Sequence, residues 1–398
     1  MRISTLTMYD QSVSSMNRQQ SDFMHVSQQI ATGRRVVNPS DDPQAASRAV
    51  QVAQSQAVTQ QYSDARVSAR NALSQEESVL NSVSDAITSA KTLMLQAASD
   101  TLSDADRASV ASELRGIYET VIGQANATDG NGRYLFGGYQ DSSEPFVRAA
   151  DGSVEYVGDS KVREQRIDAS RLMPVADNGA DIFQSVPGGA GYAAQADGGN
   201  QGSVTFKGPA VADVNDPAYG QDFEITFAVD GENVTYSVNG GDPEVYEEGA
   251  TVRFGGLSMT LTGAPADGDG IEVAKAANLN TDLFKTFEKA LAVLENPATT
   301  DNQKATRQNT INEALREFDN SLDNVLTTRA SVGARLNELD VVDSVAGNRQ
   351  TNYEQTLSDL VDLDYYAAIS EYTLRQVGLQ AAQQAFVDIK GMSLFDRL

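Results

Sequence analysis

Two flanks of seven-residue repeats enclosing a glycine-rich middle constrain this chain more than any other feature. Ile311, Phe318, Val325, Val332, Leu339, Ala346 and Tyr353 are strictly seven apart. Leu315, Leu322, Leu336 and Leu357 keep a companion row, which Arg329, Asp343 and Gln350 interrupt. The run from Ile311 to Leu357 predicts roughly 70 Å of continuous helix. A seven-residue repeat means a helix packed along its length on another helix. The N-terminal flank has the same grammar: Tyr9, Met16, Phe23 and Ile30 in one row, with Leu6 and Val13 beside it. Gly33 breaks that helix. Ser40-Asp41-Asp42-Pro43 starts another, because carboxylates suit a helix N-terminus and proline suits the first turn. The new helix runs from about Gln44 to Ser99, with Leu73, Leu80, Ile87 and Met94 in one row and Val83, Ala90 and Ala97 in a second, interrupted by Glu76. Ser103 with Asp106 resembles a capping box, and Leu114, Ile117, Tyr118 and Val121 mark the helix that follows. Beyond the centre, Leu283, Phe287, Leu291 and Leu294 predict a short amphipathic helix ended by Asn296-Pro297, and Tyr365, Tyr372, Leu379 and Phe386 form the last row.

The centre is built otherwise. Of 31 glycines, 24 lie between Gly130 and Gly270, and seven of 10 prolines lie between Pro145 and Pro265. Phe223 to Val229 alternates, Asp230-Gly231 signals a hairpin turn, and Val234 to Val238 alternates back. Val252 to Phe254, Leu257 to Leu261 and Ile271 to Val273 predict further strands, and Ser153 to Val157 with Val162 to Ile167 another pair. The fold class is therefore α+β: long coiled-coil-like helices from both termini with an inserted Gly-rich β domain. The expected domains are terminal arms 1–40 with 360–398, a long-helix bundle 41–145 with 278–359, and an inserted β domain 146–277. In an assembly these become inner, middle and outer layers.

Charge and composition remove whole classes of function. Thirty Lys+Arg against 55 Asp+Glu leave a formal net charge of −25, which argues against nucleic acid and anionic membrane as partners. No cysteine excludes disulfides and thiolate chemistry, and a single histidine, His25, excludes two-histidine metal motifs. His25 lies between Phe23 and Ile30, where a structural role is expected. No apolar run exceeds five residues, and the N-terminus has no apolar core of a Sec-type signal. Asp267-Gly268-Asp269-Gly270 lacks the rest of a calcium loop and reads as a tight turn. Gly188-Gly189-Ala190-Gly191 lacks the lysine of a phosphate loop. No catalytic, cofactor or metal constellation rises above background.

The polar seam positions are informative. An isolated arm of about 30 residues is a marginal helix in water, so both arms are expected to order only where neighbouring subunits bury them. The alternative is that the arms pair within one chain. Residues 1–35 carry four arginines against two aspartates, and residues 359–398 three basic against six acidic side chains, so opposite net charges favour contact between them.

At this point the order of parts resembles the flagellin superfamily. Ala31-Thr32-Gly33-Arg34-Arg35-Val36-Val37-Asn38-Pro39-Ser40-Asp41-Asp42-Pro43 is similar to its N-terminal signature, and Thr328-Arg329-Ala330-Ser331-Val332-Gly333-Ala334-Arg335-Leu336-Asn337 to its C-terminal one. Asn38-Pro39-Ser40, Gly132-Arg133-Tyr134-Leu135-Phe136-Gly137-Gly138-Tyr139 and the ending Gly391-Met392-Ser393-Leu394-Phe395-Asp396-Arg397-Leu398 point towards its hook-associated members. The resemblance implies a non-enzymatic structural adapter joining flagellar hook to filament, the alternative being a bulk flagellin. It implies export by the flagellar type III route to an extracellular site at the hook–filament junction. The implied partners are copies of the chain itself, hook-associated protein 1, flagellin, the filament cap protein transiently, and an export chaperone on the C-terminal arm. The subunit-assembly seams it implies are Leu6, Val13, Met16, Phe23 and Ile30 at one end and Tyr372, Leu379, Phe386, Leu394 and Phe395 at the other.

Overall fold

The computed structural model describes residues 5–99, 101–188 and 191–391. The chain opens with α1 (Thr5–Thr32), α2 (Pro43–Ala97) and α3 (Asp104–Ala125). It closes with α5 (Leu283–Glu295), α6 (Asp301–Val361) and α7 (Tyr365–Gly391). Between them, among the described residues, lie twelve strands and the short α4 (Gly179–Phe183). This is the α+β architecture that the repeats and the glycine distribution predict. Two compact units result, 1–64 with 341–398 and 65–340, and α2 and α6 each contribute a segment to both.

The larger unit has its core where the seven-residue rows place it. Leu73, Leu80, Ile87 and Met94 of α2 are completely buried, as are Ile311, Phe318, Val325, Val332 and Leu339 of α6. Arg70 meets Asp340 at 2.7 Å, Glu77 meets Arg329 at 2.8 Å and Lys91 meets Asp319, so α2 and α6 run antiparallel. Ser103 and Asp106 exchange hydrogen bonds in a capping box that starts α3. Asp282 caps α5 by accepting the Phe284 amide at 2.9 Å.

Two hairpins hang from this bundle. Strand β1 (Phe146–Arg148) pairs with β2 (Val154–Tyr156), and β3 (Glu164–Asp168) with β4 (Arg171–Pro174). The expected pairing of Ser153–Val157 with Val162–Ile167 is thus corrected. Tight turns at 149–152 and 169–170 close each strand on its nearer neighbour, where loop closure costs least. Phe146, the first residue of the expected β domain, packs instead among Phe183 and Phe284 with rings 5.4 and 5.2 Å apart.

The remaining strands form a sandwich: β5 (Tyr192–Ala196), β6 (Thr205–Val211), β7 (Phe223–Asp230), β8 (Asn233–Val238), β9 (Glu244–Val245), β10 (Thr251–Phe254), β11 (Leu257–Thr262) and β12 (Gly270–Lys275). One sheet has the order β5-β12-β7-β8-β9, the other β10-β11-β6. Their inner faces share a core that includes Phe206, Phe227, Leu261, Ile271 and Val273. The Asp230-Gly231 signal makes its hairpin, with Gly231 at φ +65°. Strands β5 and β6 escaped the sequence reading because Ala-Ala-Gln-Ala and Lys-Gly-Pro-Ala carry no alternation of apolar and polar residues. Asp269 is buried and accepts the amides of Gln201, Gly202 and Ala266, so the Asp-Gly-Asp-Gly turn pins two loops together.

Candidate functional site

The smaller unit brings the two ends of the chain together. Tyr9 meets Phe386 with ring centroids 5.3 Å apart, and Phe23 meets Tyr372 at 4.9 Å. Helices α1 and α7 therefore pair antiparallel within a single chain, the arrangement held as the alternative to disordered arms. Val13, Met16, Phe23 and Ile30 on α1 and Tyr372, Leu379 and Phe386 on α7 are half-buried in this pairing. Leu394 and Phe395, and the side chain of Leu6, lie outside the described residues. Val26 and Ala368, absent from the predicted rows, are the most deeply buried apolar residues of the pair. A heptad row marks the middle of a contact face and misses the flanking position that completes it. An ion pair between the arms, Arg375 on α7 with Asp22 on α1 at 2.9 Å, has its charges opposite to the net charges of the two ends.

A common elbow interrupts both helical strands of this unit. The Arg35 amide donates to the Val361 carbonyl at 2.7 Å, and the Leu363 amide donates to the Gly33 carbonyl at 3.0 Å. The Arg35 guanidinium reaches the Leu360 carbonyl at 2.7 Å and the Asp42 carboxylate at 3.2 Å. Gly33 has φ +69°, which requires glycine, and a Cβ there would also press on the Tyr365 hydroxyl at 2.9 Å. Asp41 accepts the Val37 and Asn38 amides at 3.1 and 2.8 Å and lies 3.3 Å from His25 Nε2. Those bonds, the Asn38 amide foremost, hold its carboxyl below the usual range. Asp42 caps α2 through the Ala45 amide, with Pro43 at the first helical position. The N-terminal signature is therefore the sequence of an elbow, and His25 is part of it.

The two arms differ in what they leave exposed. Helix α1 turns Asp10, Ser14, Arg18, Ser21 and Gln28 outward, with Tyr9 and Met24 also exposed. Helix α7 leaves Tyr366, Ile369, Leu374, Val377 and Val387 exposed away from α1, with Tyr366 89 % exposed and Thr373, Gln380 and Gln384 interleaved among them. Within the same unit, Val50 and Val58 of α2 and Val341 and Val345 of α6 are also exposed. Along α6 the apolar row gives way to Gln350, whose side-chain carbonyl is buried without a partner. A polar layer of this kind specifies register at a cost in stability.

Three buried polar sites in the larger unit are not marked as buried by the apolar rows. Glu76 is 1 % exposed; one oxygen accepts the Asp177 amide at 3.0 Å and the other is unpartnered. Burial, reinforced by the Asp177 carboxylate, pushes its pKa up to about 8. Asp177 in turn pairs with Arg335, which gives the second arginine of the C-terminal signature its place. Arg66, buried, donates to the Ile167 carbonyl at 3.0 Å. Glu317, also raised by burial, accepts from Thr286 at 2.6 Å and Asn280 at 2.8 Å. These groups tie the hairpins and α5 to the long helices. Among the described residues no cluster of His, Asp or Glu suits a metal ion, and no helix is long and apolar enough to cross a membrane.

The family description "bacterial flagellin N-terminal helical region" matches residues 3–141, and "bacterial flagellin C-terminal helical region" matches residues 315–397. The chain is 35% identical over 396 residues to flagellar hook-associated protein 3 of Escherichia coli strain K12, covering 99% of each. It superposes on the flagellar junction protein FlgL of Legionella pneumophila with a TM-score of 0.67 and 26% identity, covering 79% of this chain and 100% of that one. For FlgL of Xanthomonas campestris the TM-score is 0.68 and the identity 27%, covering 77% and 99%.

Proposed function

Because the chain belongs to the flagellar hook-associated protein 3 family, within the flagellin superfamily, we infer that it assembles by pairing its terminal helices with those of neighbouring copies. It is a structural subunit of the bacterial flagellum that joins hook to filament. The observation that carries the mechanism is the two-faced α7. One face is used by α1 of the same chain, and the second, Tyr366, Ile369, Val377 and Val387, has no partner there. Exposed apolar side chains such as these are stabilised by burial against another protein surface.

The arms supply the innermost layer of the assembly, the long helices the middle layer and the sandwich the outer one. Two helices pairing alone are marginal, so the arms reach full order when siblings cover them, a coupled folding and association. Of the expected seams, Val13, Met16, Phe23 and Ile30 close on Tyr372, Leu379 and Phe386 within the chain, and siblings are met through the other face of α7. Hook-associated protein 1 lies on one side, the cap and then flagellin on the other, and a chaperone covers the C-terminal arm before type III export to the extracellular junction. Relatives are structural flagellar proteins, and this role uses no catalysis.

Deletion of the gene tests the reading. The expected phenotype is complete hooks, no filaments and flagellin monomers in the medium. Normal filaments in the deletion strain would overturn the junction role.

A further inference from the structure

We propose that the β sandwich is a reversibly seated cassette, held on α6 by a strip of side-chain donors that read main-chain carbonyls, and that it tilts on this seat. Asn302 donates to the carbonyls of Asn200 and Gly202 at 2.7 and 3.0 Å. One heptad on, Asn309 donates to the Val204 carbonyl at 2.9 Å. One heptad further, Arg316 reaches the Ala194 carbonyl at 3.4 Å. Three donors thus line one edge of α6 at the spacing that elsewhere carries apolar residues. What they grip is backbone of the β5–β6 region, so the grip does not depend on the side chains of the sandwich.

Three further observations separate this seat from a packed core. The sandwich has its own apolar core between its two sheets. Beside the strip lies an open cleft of about 610 Å³, walled by the 195–204 loop, by Ala292, Val293 and Pro297 at the end of α5, and by Thr306 and Thr310 of α6. A contact bordered by a cleft of this size lacks the close packing that fixes domain orientation. The seat is also incompletely satisfied, because the side-chain carbonyl of buried Asn309 has no partner. The chain enters and leaves the sandwich through a hydrogen-bonded neck. There the Val186 amide donates to Thr281, the Thr281 hydroxyl to Gln184, and the Ala276 amide to Gly191. The neck keeps the cassette attached, and the strip sets its angle. A junction subunit meets unlike neighbours, and a seat of exchangeable hydrogen bonds lets its outer part adjust without disturbing either core.

The chain has no cysteine, so two introduced ones report its geometry directly. Spin labels at Glu232→Cys, by the β7–β8 turn, and Lys304→Cys, on α6, give a distance distribution in the full-length protein by pulsed electron resonance. Adding Asn302→Ala and Asn309→Ala is expected to broaden that distribution at least twofold and shift it to new distances. Hydrogen-exchange protection of β7 and β12 is expected to stay within twofold of the parent. An unchanged distribution would overturn the proposal. So would a collapse of β7 and β12 protection in the double variant, because the seat would then belong to the core of the sandwich. The wider distribution with the strands intact supports it, and a filament-minus phenotype is not among its readouts.

Discussion

At the scale of single residues, charge placed out of reach of water governs behaviour. The raised pKa of Glu76 means the folded chain holds a proton that the unfolded chain releases near the usual carboxylate value of 4.5. Folding is therefore favoured at low pH and loses stability as pH rises from about 4.5 to about 8. Glu317 and Asp282, both raised by burial, push in the same direction. Melting temperature is expected to fall as pH rises from 5 to about 8 and to level off above that, and Glu76→Gln is expected to flatten the fall. An unaltered slope in the variant would show that Glu76 is not the group responsible. Gly33 acts through geometry alone. Gly33→Ala forces a left-handed conformation on a residue with a Cβ and displaces the Tyr365 hydroxyl. The strain amounts to about 1–2 kcal/mol, and faster amide exchange around residues 33–36 and 361–363 is its measure.

At the scale of elements, α6 shows how a periodic row divides its labour. Leu339 is fully buried on the row, so Leu339→Ala is expected to cost about 2–5 kcal/mol in chemical denaturation. Gln350 interrupts the companion row with an unpartnered carbonyl. Gln350→Leu removes a buried polar group and is expected to stabilise the helical pair by about 1 kcal/mol. If the same variant lowers the melting temperature, the polar layer has a bonding partner in solution. The heptads made these helices legible, down to the near-continuous burial from Ile311 to Ala346. They could not reveal Val26 or Ala368, whose burial depends on which helix comes alongside. Nor could they reveal that Glu76 sits inward, because a charge within an apolar row reads the same whether it snorkels to water or meets a backbone amide.

At the scale of the whole molecule, the exposed apolar residues of α7 are where the proposed assembly contact is tested. Ile369→Glu introduces a charge on that face while leaving the Phe23–Tyr372 contact in place. The monomer's thermal transition is expected to move by less than about 0.5 kcal/mol, as for other surface positions. Complementation of the deletion strain is expected to yield hooks without filaments. Full complementation by this variant would mean that the face carries no contact in the assembly. Phe23→Ala is the converse case: it weakens the pairing of α1 with α7 inside one chain, and faster exchange in both helices is expected before any defect in the larger unit.

The sequence by itself determined the periodic helices, their breaks at Gly33 and Pro297, the caps at Asp42 and Ser103, and a β module between them. Each of these is a local matter, set by side chains within one or two turns of one another. Only the tertiary structure decided which strands pair, that Phe146 joins the aromatic core, that α7 keeps one apolar face free, and that Asn302, Asn309 and Arg316 grip a backbone about 100 to 120 residues away. Those outcomes depend on which surfaces meet across long stretches of chain, and hydrogen bonds to main-chain carbonyls carry no residue-specific signal on the accepting side.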